Sequence, residues 1–278
     1  MKKFVIYYFS GTGNTWWVAK ELHQRLNTPG MQAQCHSIEA FSWEAVPEQV
    51  KQADHILFGF PVYGSAAPRL MKDFIRQFPA ARSGQSVSVF ATQALASGDT
   101  SYHVGQSLVQ KGYRLQQAVH FRLMNNLHIP RFRFYRPKND HRVAKLQQKS
   151  LPKLEALVQG ITDNKVCITG NNPLGHALGN LQRKYEDQLV TFASKEFQVD
   201  QGRCLDCGKC IRICPVQNIQ KQDDTYKFGD RCILCLRCYS QCPSCAILIG
   251  EGSRDVTKYP RYRGPGGDFY IELLQKKS

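Results

Sequence analysis

The chain has 278 residues, and its hydrophobic content of 42% is enough for one large or two ordinary domains with a buried core. Lys and Arg outnumber Asp and Glu by 37 to 22, which gives a formal net charge of +15. No apolar run approaches the roughly 20 residues of a membrane span, and the run at residues 4–9 is too short for a secretory signal. These features exclude a membrane-spanning or exported protein, and we expect a soluble protein of the cytosol.

The first predicted strand is the continuous apolar run at residues 4–9, a pattern typical of a parallel strand buried on both faces. A loop rich in glycine and hydroxyl groups follows at residues 10–15, and Val18, Leu22 and Leu26 then recur at helical spacing. In such a strand–loop–helix unit, backbone N–H groups and the positive end of the helix face the loop. The sequence therefore predicts that this loop binds a phosphate group.

Three kinds of phosphate loop begin in a similar way. A dinucleotide-binding loop needs a third glycine where Trp16 stands, and a P-loop needs a Gly-Lys-Ser or Gly-Lys-Thr sequence that is missing. The segment resembles instead the phosphate loop of flavodoxins, which implies that it holds the phosphate of flavin mononucleotide (FMN). On this resemblance the phosphate accepts hydrogen bonds from four side chains, those of Ser10, Thr12, Asn14 and Thr15.

Strands and helices continue to alternate along the first half of the chain. Three more apolar runs predict buried strands, at residues 55–60, 87–92 and 118–123. A helix is predicted after Pro68, because the apolar residues between positions 70 and 78 fall on one helical face. This alternation predicts an α/β fold with a doubly wound parallel sheet, whose ligand lies beyond the carboxyl ends of the strands.

Residues 1–161 as a whole resemble the flavodoxin family. In that family the loop after the third strand flanks the isoalloxazine ring with an aromatic residue, and the loop after the fourth strand contacts the ring edge. The resemblance implies that Tyr63 stacks on the ring, that the Gly64 backbone lies near the redox-active nitrogen, and that residues 92–98 contact the pyrimidine side. Packing of Tyr63 within its own loop is the alternative. The implied FMN-binding residues are Ser10, Gly11, Thr12, Gly13, Asn14, Thr15, Pro61, Val62, Tyr63, Gly64, Thr92, Gln93, Ala94, Leu95 and Gly98.

Basic and aromatic side chains alternate within residues 128–138, where Arg131 and Arg133 stand beside Phe132 and Phe134. A short extended segment with this pattern would separate a basic face from an aromatic face. We favour packing of the aromatic side chains on their own domain, with solvated arginines. A docking surface or lid over the flavin and an RNA-binding segment are the alternatives.

Two cysteine runs near the C-terminus share the spacing C-x2-C-x2-C-x3-C-P and lie 28 residues apart. A disulfide framework suits small secreted chains, and a zinc site would leave the third cysteine and the Cys-Pro step unexplained. The runs resemble those of bacterial two-cluster ferredoxins, in which the fourth cysteine of each run binds the other cluster. The resemblance implies two [4Fe–4S] clusters, the first bound by Cys204, Cys207, Cys210 and Cys242, and the second by Cys232, Cys235, Cys238 and Cys214.

The other three cysteines are predicted to bind no metal. Cys245 follows the second run by three residues and is interpreted as a non-ligand, with a spare or exchanging ligand as the alternative. Cys35 and Cys167 are predicted to be isolated, buried small side chains.

The segment between the last predicted strand of the sheet and the cysteine runs is predicted to be mostly helical. Leucines between residues 146 and 161 predict a helix that is interrupted near Pro152. A loop at residues 170–175 is followed by one amphipathic connecting helix, marked by Leu178, Leu181, Tyr185, Leu189 and Phe192. We therefore predict a flavodoxin-like domain at residues 1–161, a linker with a helix at residues 162–198, and a small α+β two-cluster ferredoxin-like domain with a tail at residues 199–278.

The whole chain thus resembles a flavodoxin–ferredoxin fusion, a family found among anaerobes. Joining a flavin to one-electron clusters favours an electron-transfer protein that exchanges low-potential electrons with an external redox partner. The basic charge favours an acidic partner, and no nucleic-acid-binding motif is present. The alternatives are a flavin-dependent reductase of a quinone or nitro compound and, third, a redox-sensing or nucleic-acid-binding module. An electron carrier is favoured over an enzyme, and we identify no catalytic residue.

Overall fold

A computed structural model of the chain describes residues 1–40, 42–82, 84–133 and 140–275. Six parallel strands form one sheet in the order β2-β1-β3-β4-β5-β6. The strands are β1 (Lys2–Tyr8), β2 (Met31–Ser37), β3 (His55–Pro61), β4 (Ser86–Gln93), β5 (Arg114–Arg122) and β6 (Cys167–Ile168). The predicted α/β class with a doubly wound parallel sheet is confirmed.

Helices cover both faces of this sheet. They are α1 (Asn14–Leu26), α2 (Val46–Gln52), α3 (Arg69–Gln77), α4 (Thr100–Val109) and α5 (Asp140–Thr162). Alternate strand residues point to opposite sides, so Tyr7 and Phe58 pack with α2, α3 and α4, while Ile6 and Phe121 pack with α1 and α5. Burial of both faces explains why the central strands are continuous apolar runs.

Strand β2 and helix α5 differ from the sequence-based prediction. Strand β2 was not predicted, because it lies at the sheet edge and carries Gln at its exposed positions and a partly buried His in place of apolar residues. Helix α5 was predicted to be interrupted near Pro152, and this is wrong, since α5 runs through that residue without a break. The ring of Pro152 is exposed, and the helix loses only the one hydrogen bond that this residue cannot donate.

The predicted single connecting helix is two helices, α6 (Pro173–Lys184) and α7 (Glu186–Ser194), which meet at Tyr185. Helix α6 begins with a side-chain cap, in which Asn172 Oδ1 accepts a hydrogen bond from the Gly175 N–H at 2.8 Å. The one apolar stripe seen in the sequence is therefore divided between two helix axes.

The cysteine runs lie in a small region of short elements. Strand β7 (Phe197–Val199) pairs antiparallel with β10 (Ile247–Ile249), and β8 (Ile219–Gln222) pairs antiparallel with β9 (Thr225–Phe228). Helices α8 (Lys209–Arg212) and α9 (Arg237–Gln241) each carry the third cysteine of one run. Within the described part of the chain, no helix is both long and apolar enough to cross a membrane.

The C-terminal tail returns from the cysteine region to the first sheet. Ile271 and Leu274 are buried against the α1 and α5 side of the core, and Ser37 Oγ donates a hydrogen bond to the Leu274 carbonyl oxygen at 2.7 Å. Lys20 of α1 forms an ion pair with Asp268 at 2.6 Å. The two halves of the chain are therefore packed together through the tail as well as through the linker.

Two buried histidines are expected to make the sheet sensitive to acid. Burial lowers the pKa of His55 to about 3 and that of His120 to about 4, so both side chains are neutral when folded. His120 Nε2 accepts the Ser101 N–H at 3.2 Å, an interaction that the protonated ring cannot make. Unfolded histidine titrates near 6.5, so unfolding takes up protons as the pH falls. Each group should lower the free energy of unfolding by about 1 kcal/mol between about pH 6.5 and 5.5.

The urea midpoint at these two pH values, followed by circular dichroism, measures this effect. His120→Gln should remove about 1 kcal/mol of the pH-dependent loss, while the exposed His141 provides a control, His141→Gln, that should leave it unchanged. An unchanged pH dependence in His120→Gln would contradict the assignment.

Candidate functional site

A cavity of about 630 Å³ opens beyond the carboxyl ends of β1, β3, β4 and β5. This is where a doubly wound sheet binds its ligand. Of the residues predicted to bind FMN, all except Gly13 and Gly98 line the cavity. The loops after β1, β3 and β4, far apart in sequence, are thus brought to one place by the parallel order of their strands.

The first loop is held by hydrogen bonds from within and from other segments. Ser10 Oγ accepts the Gly13 N–H at 3.1 Å, and Thr12 Oγ1 accepts from Asn126 Nδ2 at 2.9 Å. Each of these hydroxyls still has its proton to donate to a ligand. The side chain of Asn14 is engaged at both ends, since Nδ2 donates to the Met124 carbonyl oxygen at 2.6 Å and Oδ1 accepts from a tail tyrosine.

Thr15, the fourth predicted donor, forms a hydrogen bond with a residue on the opposite wall of the cavity. Its Oγ1 lies 2.8 Å from Thr92 Oγ1, so the loop after β1 is tied to the end of β4. Thr15 and Asn14 therefore fix the shape of the loop through protein contacts, and Ser10 and Thr12 are the hydroxyl donors best placed for an anion.

Two buried polar atoms in the cavity wall fit a bound ligand. Tyr63 Oη and Asn125 Nδ2 are shielded from solvent and have no hydrogen-bond partner among the described residues. Asn125 is fixed in orientation because its Oδ1 accepts the Leu127 N–H at 2.7 Å, which leaves the amide group for a ligand. Buried polar groups are rarely left without a partner, so the donor set and the phosphate loop together fit FMN.

The two glycines that do not line the cavity have other positions. Gly13 has a φ of +106° at the start of α1, and a Cβ there would lie 2.4 Å from the Pro265 ring of the tail. Gly98 has a φ of +58°, and a Cβ there would lie 2.4 Å from the Gly175 carbonyl oxygen. Glycine at these positions lets the tail and α6 approach the flavin loops closely.

Helices α6 and α7 form a roof over the cavity that the sequence did not reveal. Of the predicted apolar stripe, Leu178, Leu181, Tyr185 and Leu189 line the cavity and Phe192 does not, while Val190 lines it without having been predicted. The roof is fixed to the loop after β4 by Asp99, whose carboxylate lies 2.6 Å from Arg183 Nη1 and 2.7 Å from His176 Nδ1. Burial raises the pKa of Asp99, and the bonds from Arg183 and His176 lower it by more, so that the net shift is downward.

Two other groups of lining residues were missed. Residues 124–127 follow β5 and line the cavity. They could have been predicted, because ligands of a doubly wound sheet bind beyond the carboxyl ends of its strands. Leu234 and Leu236, on either side of Cys235, also line it, and no signal in the sequence joins them to the flavin loops.

Each of two small cavities is lined by four cysteines that come from both runs. The first cysteine cavity contains Cys204, Cys207, Cys210 and Cys242. The second cysteine cavity contains Cys214, Cys232, Cys235 and Cys238. The structure therefore groups the cysteines in the two sets that the ferredoxin resemblance implies.

The chemistry of these cysteines fits an iron–sulfur cluster. All are free thiols, and backbone N–H groups of Asn218 and Ala246 donate to Cys214 Sγ and Cys242 Sγ, both at 3.2 Å. Burial raises the pKa of Cys235 to about 12, so binding of iron there must displace a proton. Among the described residues, no three His, Cys, Asp or Glu are arranged to hold a single metal ion. A cubane differs from such a site because each thiolate binds a different iron, which places the four sulfurs further apart.

The remaining cysteines lie outside both cysteine cavities. Cys245 Sγ accepts a hydrogen bond from Arg263 Nη2 at 3.4 Å. Cys35 is partly buried, whereas Cys167 is exposed on β6, so the prediction that Cys167 is buried is wrong. A strand of two residues at the sheet edge has too little cover to bury that side chain.

The basic and aromatic segment is described only up to residue 133, and residues 134–138 lie outside the described part. Residues Pro130–Phe132 form a turn of 3-10 helix, so this part of the predicted extended segment is wrong. Arg131 forms an ion pair with Glu196 at 3.1 Å and lies over the Phe192 ring at 3.9 Å, while Phe132 lines the cavity beyond the sheet. Arg131 is therefore paired with residues of the predicted linker and is not simply solvated, and Phe132 lies where the alternative, a cover over the cavity, would place it.

The fold, the loop-lined cavity and the two cysteine groups define an electron-transfer protein of the flavin and iron–sulfur class. Residues 5–150, more than half of the chain, match the model of the flavodoxin domain, and the chain belongs to this family. Residues 197–219 match the model of a 4Fe-4S binding domain. An uncharacterized ferredoxin of Methanocaldococcus jannaschii is 36% identical over 59 residues, which cover 19% of this chain and 77% of that protein. The chain thus combines the two domains of a flavodoxin–ferredoxin fusion.

Solved structures with a similar chain path include flavodoxins and one larger oxidoreductase. A short-chain flavodoxin associated with a non-canonical PDU bacterial microcompartment is 16% identical, with a TM-score of 0.42 over 59% of this chain and 98% of that chain. The flavodoxin of Megasphaera elsdenii is 24% identical, with a TM-score of 0.37 over 42% and 85% of the two chains. Rubredoxin oxygen:oxidoreductase of Desulfovibrio gigas is 14% identical, with a TM-score of 0.41 over 65% of this chain but only 37% of that one.

Proposed function

We propose that the chain transfers low-potential electrons between FMN, two [4Fe–4S] clusters and an external redox partner protein. A flavin exchanges one or two electrons and each cluster exchanges one, so the combination converts between two-electron and one-electron carriers. The proposal assigns FMN to the cavity beyond the sheet, and it divides the chain at the predicted boundaries of residues 1–161, 162–198 and 199–278.

For FMN, the proposal assigns the phosphate to the loop at residues 10–15 and the ring to the loops after β3 and β4. Support comes from the unpaired Tyr63 Oη and Asn125 Nδ2 in the cavity wall and from the free hydroxyl protons of Ser10 and Thr12. For the clusters, each cysteine cavity is proposed to hold one [4Fe–4S] cluster.

The observation that carries the proposal is the contact between the second cysteine run and the flavin cavity. Cys235 is buried, and its neighbours Leu234 and Leu236 are part of the cavity wall. The first cysteine cavity has an exposed side, since Cys207 is exposed and Leu205 is 67% exposed. We therefore infer the order flavin cavity, second cysteine cavity, first cysteine cavity, molecular surface.

The surface beside the first cysteine cavity is proposed to bind an acidic partner. Arg203, Lys209 and Arg212 lie within or next to the first run, and the whole chain carries a net charge of +15. Charges of opposite sign on a partner would steer association and hold the exposed cysteine side toward it.

An anaerobic reductive titration of cofactor-replete protein tests this function, with flavin and cluster absorbance followed separately. The reductants are NADH, NADPH and a reduced low-potential ferredoxin. We expect the ferredoxin to reduce both cofactors, because the proposed entry route for electrons is through the clusters. Direct bleaching of the flavin by a nicotinamide, with no reduction by the ferredoxin, would contradict the proposal.

A flavin-dependent reductase of a quinone or nitro compound is the second candidate. It is favoured by the roof, because the apolar side chains of Leu178, Leu181 and Leu189 enclose the cavity and would suit an apolar substrate. Turnover of such acceptors by the reduced protein in the absence of any partner protein would support this function over that of a carrier.

A further inference from the structure

Arg237 belongs to the second cysteine run, between Cys235 and Cys238, but its side chain reaches the flavin phosphate loop. The side chain is fully buried. Its Nη2 donates a hydrogen bond to the Ser10 carbonyl oxygen at 2.6 Å, and its Nε donates to the Gly11 carbonyl oxygen at 2.8 Å. A residue of the cluster-binding run therefore holds two successive carbonyl groups of the phosphate loop.

The positive charge of the Arg237 guanidinium is balanced by a buried carboxylate. The Glu39 carboxylate, which follows β2, accepts hydrogen bonds from Nη1 at 2.7 Å and from Nη2. Nη1 also donates to the Ile213 carbonyl oxygen at 3.3 Å, in the first cysteine run. With all three nitrogens engaged, Arg237 has one orientation in the folded protein.

The orientation of the two carbonyl groups decides where the next N–H groups point. A trans peptide bond directs its C=O and its N–H to opposite sides, and the described residues include no cis peptide. When Arg237 holds the carbonyl oxygens of Ser10 and Gly11, the N–H groups of Gly11 and Thr12 point away from it. Both of these residues line the flavin cavity, where an N–H is a donor for a phosphate.

The backbone of the second run also touches this loop directly. A Cβ on Gly11 would lie 3.0 Å from the Cys235 carbonyl oxygen and 2.7 Å from Tyr63 Oη. Only glycine leaves room for the cysteine run at this distance, so a shift of the run would be transmitted to the loop.

We propose that Arg237 is a positioning residue that couples cluster binding in the second cysteine cavity to phosphate binding in the flavin cavity. The inference rests on the proposed function. Ligation of Cys235 and Cys238 fixes the backbone on both sides of Arg237, and Arg237 then orients the N–H groups of Gly11 and Thr12. Since coupling between two sites is reciprocal, FMN also strengthens retention of the second cluster.

The test uses the full chain with both clusters intact, confirmed by iron content, from which FMN has been removed. The dissociation constant of FMN is measured by quenching of its fluorescence in the wild-type protein, in Arg237→Gln and in Arg263→Gln. Arg263 is a matched control, because its Nη1 donates to the carbonyl oxygens of Ser240 and Cys242 at 2.6 and 2.9 Å, on the side of the first cysteine cavity. We expect FMN to bind about 10- to 100-fold more weakly to Arg237→Gln and with unchanged affinity to Arg263→Gln.

A second measurement needs only the wild-type protein and remains decisive if Arg237→Gln does not fold. The rate of cluster loss to an iron chelator is followed with and without saturating FMN. Half of the cluster absorbance should be lost more slowly with FMN, and the other half at an unchanged rate. The same rate of cluster loss with and without FMN, or an unchanged FMN affinity in Arg237→Gln with intact clusters, would overturn the coupling. A wild-type protein that binds no FMN would instead refute the proposed function.

Discussion

The double variant Cys204→Ser/Cys242→Ser is expected to retain about four iron atoms per chain after anaerobic reconstitution, the same as either single variant. Both residues line the first cysteine cavity, so the second substitution removes a ligand of a cluster that is already lost. The double variant Cys204→Ser/Cys214→Ser should retain almost no iron, since it removes one ligand from each cavity.

Iron and acid-labile sulfide content per chain, determined together with the circular dichroism spectrum, measures this difference. The comparison has its own control, because both double variants lack two cysteines and share Cys204→Ser. If each run bound its own cluster, the results would be reversed, and Cys204→Ser/Cys214→Ser would retain about half of the iron.

Removal of the Glu39 charge is expected to cost about 3–5 kcal/mol of the free energy of unfolding. The Glu39 side chain is 7% exposed and the Arg237 side chain 0% exposed, so Glu39→Gln leaves an unbalanced charge inside the protein. The apparent thermal midpoint at a fixed heating rate should fall by about 10 °C. In Glu39→Gln/Arg237→Met neither side chain of this pair leaves a buried charge, and part of the stability should return.

Glu155→Gln is the matched control for this change. It removes a carboxylate that accepts from Arg25 Nε at 2.7 Å, but the Glu155 side chain is 62% exposed. Solvent screens such a pair, and the expected loss is below about 1 kcal/mol. Equal losses in Glu39→Gln and Glu155→Gln would show that the contact between the phosphate loop and the cysteine run contributes little to stability.

Much of the fold could be predicted because its signals are local. The central strands are buried on both faces, so each appears as an uninterrupted apolar run, and the loop after the first strand contains its own glycine and hydroxyl groups. The edge strand β2 has one partly solvated face and left no such signal. The cysteine runs were recognisable for a related reason, since three of the four ligands of each proposed cluster lie within seven residues of one another.

The sequence by itself determined the doubly wound sheet, the position of the loops predicted to bind FMN and the two cysteine runs, because each depends on spacing within a short segment. The tertiary structure alone decided which surfaces meet. Arg237 reaches Ser10 across more than two hundred residues, and Asp99 holds Arg183 of the roof, in contacts that no periodicity encodes. Such contacts depend on how the packed sheet, the roof and the cysteine region bury their apolar faces against one another. A stripe of leucines predicts that a helix is covered, but not that it covers a flavin cavity.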